Sequence, residues 1–166
     1  MISKKKVHIC FVCLGNICRS PLAEGVFANL VNQKELDGSF KIDSAGTSSW
    51  HQGEPVDERM RIIAGRRGIP LMSRARQFTG DDFDRFDLVL AMDNSNMLRL
   101  QNLKPENEIN DKLFLFRSFD PKNNGNLEVP DPYYGGDQGF NHVCDIIERT
   151  CPKLLEYIKS RFLQNP

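Results

Sequence analysis

The sequence predicts an α/β domain on a mainly parallel sheet. Three observations carry this: four short apolar runs rich in strand-forming residues, helical apolar spacing between and after them, and connections broken at Gly, Pro and Asn. Residues 6–12 are nearly all apolar, as a central strand buried on both faces is. Residues 20–36 set Leu22, Val26, Leu30 and Val31 at helical spacing. The segment 40–47, FKIDSAGT, reads as a second strand ending at Gly46. Residues 55–67 open on Pro55 and form a helix that Gly68 and Pro70 stop. DLVLAM, 87–92, is a third strand, followed by a helix over 93–103 capped by Asp93, with Asn94 or Ser95 as other caps. KLFLF, 112–116, is the fourth strand. A stretch rich in Asp, Asn, Pro and Gly runs from Arg117 to Gly136, and a loop this long inside a domain is usually functional or mobile. Residues 137–163 are helical by pattern, with Pro152 expected to kink or split them.

The 166 residues suit one domain, 1–166, with a proper core. Lys plus Arg and Asp plus Glu number 22 each, which argues against nucleic acid or an anionic membrane as main partner; an anion must be held locally. No apolar run approaches the ~18 residues of a membrane span. Lys4, Lys5 and Lys6 before the first apolar run read as a solvated approach to a buried strand, since no small-residue cleavage site follows. Five irregularly spaced cysteines do not form a disulfide framework, so a reducing cytoplasm is expected.

The loop after the first strand carries the chemistry. In CLGNICRSP, residues 13–21, Gly15 takes backbone shapes other residues resist and Asn16 tolerates the left-handed region. The loop can therefore curl with its N–H groups inward, and the next helix, starting near Ser20, adds its positive end. Arg19 brings a planar fork matched to two phosphate oxygens. Cys13, at the carboxyl end of a strand where such sheets bind ligands, would lie at the floor of this cradle. The surrounding donors, the Ser20 hydroxyl among them, favour a thiolate. A thiolate beneath a bound phosphate is a nucleophile aimed at phosphorus, and the same donors stabilise charge on the equatorial oxygens. Metal binding through Cys10, Cys13 and Cys18 is the weaker reading. Cys10 and Cys13 face opposite ways on a strand, and no second Cys pair or His cluster follows. Two Asp-Pro pairs in the long loop, Asp120-Pro121 and Asp131-Pro132, each offer a stiffened carboxyl for protonating a leaving group, and these residues alone do not choose between them. Trp50 sits in a polar loop after a strand end, where it can form an aromatic wall beside a bound group; Tyr133 and Tyr134 are candidates for the opposite wall.

The motif from Cys13 to Pro21 resembles that of the low-molecular-weight protein tyrosine phosphatases. So do DSAGTSSWH (43–51), ARQF (75–78), MDNSN (92–96) and DPYYGG (131–136), in the family's order, so that the resemblance covers almost the whole chain. It implies a four-stranded parallel sheet with helices on both faces, no cofactor and no metal. It implies Cys13 as nucleophile, Arg19 as clamp, and a loop of Leu14, Gly15, Asn16, Ile17, Cys18 and Ser20 around the phosphate. Ser20 would stabilise the thiolate, Asn16 would hold the loop's shape, and Ser44 would brace Asn16. The resemblance selects Asp131 as general acid and then base, leaving Asp120 a turn residue. It supports both aromatic walls and makes Cys18 a reversible disulfide partner of Cys13. The implied partners are phosphotyrosine proteins or small aryl phosphates, with phosphate as product and inhibitor, and a monomer or weak self-association. One position departs from the family: Ser73 stands where many relatives carry a His tied into the loop, and its hydroxyl replaces only part of that role.

Two related chemistries fit less well. Thioredoxin-coupled arsenate reduction needs two further cysteines near the loop, but after Cys18 the next are Cys144 and Cys151 in the last helix. Arginine phosphatases of this fold carry Thr where this chain has Ile17, and an apolar Ile suits a phenyl ring better.

Overall fold

In a computed structural model of the chain, residues 5–133 and 135–164 are described; Lys4 and Tyr134 lie outside them. Lys5 and Lys6 are exposed ahead of the first strand. Four strands, β1 (Val7–Cys13), β2 (Phe40–Gly46), β3 (Leu88–Ala91) and β4 (Leu113–Leu115), form one sheet in the order β2-β1-β3-β4. Every neighbouring pair is parallel, with Cys13 level with Gly46 at the carboxyl edge. The chain winds outward from β1 in both directions, so the end of β1 lies at the switch point where open α/β sheets bind ligands.

Alternation along β1 builds two cores. Ile9, Phe11 and Cys13 face one layer, which holds Leu22, Phe27, Phe116 and Phe140. Cys10 and Val12 face the other, with Phe78, Phe83, Leu100 and Ile109. The first layer is made by α1 (Arg19–Gln33) and α6 (Gly136–Phe162), with α2 (Glu58–Arg66) packed on α6. The second draws on α3 (Asp82–Arg85), α4 (Asn94–Gln101) and α5 (Glu106–Ile109). Cys10 and Cys13 are thus on opposite faces of the sheet. The short helices α3 and α5 and the 3-10 turns Asp37–Ser39 and Phe116–Phe119 are too brief to leave a periodic signal.

Pro152 does not split the last helix, which runs unbroken for 27 residues. An internal proline costs about 3 kcal/mol. The helix buries Phe140, Val143, Ile146, Ile147, Leu154 and Ile158, each worth about 2 kcal/mol, so packing outweighs the lost bond.

Asp120 is more than a turn residue. It is 2% exposed and lies between two arginines: Arg117 Nε donates to Oδ2 at 3.0 Å and Arg149 Nε to Oδ1 at 2.8 Å. Arg117 Nη1 also donates to the Glu128 carbonyl at 2.7 Å, so this triad anchors the base of the loop that reaches Asp131. Burial opposes ionisation of Asp120. Hydrogen bonds from Arg149, the Lys122 N–H and Arg117 outweigh it and hold the carboxyl at about 2, below its usual 3.8. A depressed carboxylate stabilises the fold fully above its unfolded value, and the contribution drains away as pH falls towards 2. Asp120→Asn leaves Arg117 buried without its charge partner. It should cost about 3 kcal/mol in urea unfolding near neutrality, and progressively less from pH 4 downward.

Candidate active site

Asn16 turns the chain after β1, at φ 58°. The loop carbonyls are taken up from outside: Cys13 O accepts from Thr47 N at 2.8 Å, Leu14 O from Ser48 N at 3.0 Å, and Ile17 O from Asp57 N at 2.8 Å. With its acceptors turned outward, the loop can turn donors inward. The Asn16 N–H points at Cys13 Sγ, 3.3 Å away. The Ser20 hydroxyl lies 3.0 Å from the same sulfur. Helix α1 begins at Arg19 without a side-chain cap, so no side chain occupies the donors of its first turn.

Asn16 is the brace. Its Nδ2 donates to Ser20 Oγ at 2.8 Å and to Ser44 Oγ at 3.0 Å, and its Oδ1 accepts from Arg76 N at 3.0 Å. Ser44 Oγ in turn donates to Glu24. Burial, first, and the nearby Asp43 raise the pKa of the Glu24 carboxyl, against the Ser44 bond and Arg76, which lower it. Asn16→Ala removes all three bonds and the side chain best suited to the left-handed backbone. The expected loss is about 2 kcal/mol in urea unfolding, with weaker phosphate binding by calorimetry.

Arg19 is 3% exposed. Its Nη1 donates to Asp93 Oδ2 at 2.7 Å and to the Val129 carbonyl at 3.0 Å; its Nη2 lies 3.7 Å from Asp131 Oδ2. Burial works against its charge, but the Cys13 sulfur and Asp93 outweigh it and raise its pKa. Asp93 therefore has two tasks. It caps α4, with Oδ1 accepting from Asn96 N at 2.8 Å, and it orients Arg19. The cap was legible from sequence; the arginine contact was not, because nothing local to MDNSN points back to residue 19.

A pocket of about 250 Å³ opens over the loop. Cys13, Leu14, Gly15, Ile17, Cys18 and Arg19 line its floor and near wall, and Trp50, His51, Asp131 and Tyr133 its rim. Asn16 and Ser20 stay beneath it as supports. Trp50 is 73% exposed and is no core residue. His51 was not foreseen: its ring packs so closely on Gly15 that a Cβ there would sit 2.9 Å from it, and its Nδ1 pairs with Glu54. Tyr134, expected beside Tyr133, lies outside the described residues. Cys144 and Cys151 are buried on α6 and do not line this pocket.

The family model for low molecular weight phosphotyrosine protein phosphatases matches residues 8–164. The chain belongs to this family. A human low molecular weight phosphotyrosine protein phosphatase is 42% identical over 159 residues, 94% of this chain and 98% of that one. A protein tyrosine phosphatase from Entamoeba histolytica superposes with a TM-score of 0.90 at 40% identity, over 94% of this chain and 99% of that one. A Drosophila arginine phosphatase superposes at 0.83 with 33% identity, over 91% and 97%. Against the wider family pattern, Ser73 does not take over a histidine's tie to the loop. Among the described residues it makes no hydrogen bond to Asn16, Ser20 or Ser44; the Arg76 N–H holds the Asn16 side-chain oxygen. No described helix is long and apolar enough to cross a membrane.

Proposed function

We propose that this chain hydrolyses phosphotyrosine and small aryl phosphates through a phosphocysteine on Cys13. The observation that carries the reading is the Cys13 sulfur at the floor of a donor-lined loop, facing Ser20 at 3.0 Å and the Asn16 N–H at 3.3 Å, with Arg19 and Asp131 lining the same pocket. The phosphate sits in the loop, and Arg19 grips two of its oxygens. The Cys13 thiolate attacks phosphorus, and the bond to the phenolic oxygen breaks as Asp131 delivers a proton to it. Water then attacks the phosphocysteine, Asp131 takes its proton, and phosphate and the thiolate are released. Loop N–H groups and Arg19 hold the charge on the equatorial oxygens through both steps.

Ile17, Trp50 and Tyr133 line the pocket with apolar and aromatic surface suited to a phenyl ring, which a phosphoserine lacks. The fold alone does not separate this reading from arginine phosphatase chemistry, since a Drosophila arginine phosphatase shares it. The apolar Ile17 favours the aryl substrate. Cys18 lines the same pocket as Cys13, and both are free thiols. Burial first, then Asp57, Cys13 and Asp131, raise the Cys18 pKa and keep it a thiol. Its place suits a resolving partner that condenses with an oxidised Cys13 as a reversible disulfide.

The test is steady-state hydrolysis of p-nitrophenyl phosphate, phosphotyrosine, phosphoarginine and phosphoserine from mildly acidic to neutral pH, under reducing conditions. Turnover of the two aryl phosphates with little of the others is expected. Preference for phosphoarginine would overturn the assignment of Ile17. Phosphate binding without any turnover would make the chain a phosphate-binding module.

A further inference from the structure

Arg59, in the first turn of α2, connects two parts of the site that the sequence leaves far apart. It lies beyond the pocket lining, yet its guanidinium meets four groups. Nη1 donates to the Tyr133 carbonyl at 3.0 Å. Nη2 and Nε donate to the Asp57 carboxylate at 3.0 and 3.2 Å. The Tyr133 ring lies 5.2 Å from its central carbon and the Phe140 ring 4.8 Å.

Each contact leads to the chemistry by one more bond. Asp57 caps α2 and donates its own N–H to the Ile17 carbonyl of the phosphate loop at 2.8 Å. Tyr133 N–H donates to Asp131 Oδ1 at 3.0 Å. A continuous path therefore runs from the phosphate loop through Asp57 and Arg59 to Tyr133 and the Asp131 carboxyl. Phe140, fully buried on α6, gives the guanidinium a fixed surface to stack on. Upstream the segment is held as far as Val129, by Arg117 on the Glu128 carbonyl and Arg19 on the Val129 carbonyl, and the half-exposed Asp131 side chain lies beyond these anchors.

We infer that Arg59 is a positioning residue that clamps the Asp131 segment over the phosphate loop, fixing the carboxyl where it meets the leaving oxygen. A planar fork is required, because one group must bond a carboxylate and a carbonyl while stacking between two rings; lysine has neither the plane nor the second edge. This inference rests on the phosphatase reading above.

The experiment uses the full chain with Arg59→Met, which keeps the apolar stem. A poor leaving group needs the proton from Asp131 more than a good one does, so a displaced acid has an uneven signature. In kcat/KM, Arg59→Met should lose about tenfold on phenyl phosphate and much less on p-nitrophenyl phosphate. Placed on Asp131→Asn, it should add little further loss. Hydrogen exchange across residues 131–136 should rise in Arg59→Met, while exchange in β1 stays unchanged. Equal losses on both substrates that add to those of Asp131→Asn would overturn the clamp and make Arg59 a substrate-binding or purely structural group. Unchanged kinetics and exchange would overturn it as well. Wild-type protein that turns over neither aryl phosphate would remove the phosphatase reading, and with it the task of positioning Asp131 that Arg59 is assigned. The exchange comparison separates that failure from failure of the clamp alone.

Discussion

Cys13→Ser is expected to lower kcat for p-nitrophenyl phosphate by at least ~10⁴-fold while inorganic phosphate still binds the loop. The substitution changes one atom at the floor of the pocket. The Asn16 N–H, the first turn of α1 and Arg19 remain to hold the anion. A serine hydroxyl at neutral pH is a far weaker nucleophile than a thiolate, and no described base is bonded to that position to activate it; Ser20 and the Asn16 N–H are its only described partners. Steady-state assays paired with phosphate calorimetry check both halves. Loss of phosphate binding along with turnover would mean that the sulfur shapes the loop as well as attacking.

Asp131→Asn is expected to lower kcat/KM for phenyl phosphate by about 10²–10⁴-fold, the range a positioned general acid supplies. The carboxyl is held by the Tyr133 N–H at 3.0 Å and stands 3.7 Å from Arg19 Nη2, above the loop that would hold phosphate. Asparagine keeps the size and the bond from Tyr133 but has no proton to give. The deficit should shrink as the leaving group improves, and a series of substituted phenyl phosphates measures that slope. A uniform loss across the series would assign Asp131 to binding. If Asp120→Asn carried the slope instead, the other Asp-Pro pair would hold the acid. The geometry argues against that, since Asp120 is buried between Arg117 and Arg149.

The parts of the molecule legible in sequence were those set by local chemistry. The apolar runs matched all four strands within a residue or two, and Asn16 announced the turn after β1 because few non-glycine residues accept a positive φ; Gly15 serves instead by the close approach of the His51 ring. The cap of α4 by Asp93 was legible because a short carboxylate accepts the N–H groups of a helix's first turn. Contacts between distant segments were not. Arg19 to Asp93 spans 74 residues, Arg76 to Asn16 spans 60, and Arg59 to Tyr133 spans 74. Each depends on which strand ends share one edge of the sheet, which no window of sequence reports. Asp120 and Asp131 show the limit plainly. Both are Asp-Pro pairs in one polar loop; the family resemblance selected Asp131, but nothing in the sequence marked Asp120 as a buried ion pair between Arg117 and Arg149.

The most direct test of the phosphocysteine is to mix Asp131→Asn with p-nitrophenyl phosphate, quench within milliseconds to seconds, and map phosphate on the protein by mass spectrometry. This variant still releases the good leaving group but lacks the base for the attacking water, so the intermediate should accumulate. One phosphoryl group on the peptide carrying Cys13, absent from the same variant bearing Cys13→Ser, is the predicted result. A burst of nitrophenol with Cys13 unmodified, or phosphate on any other residue, would contradict it.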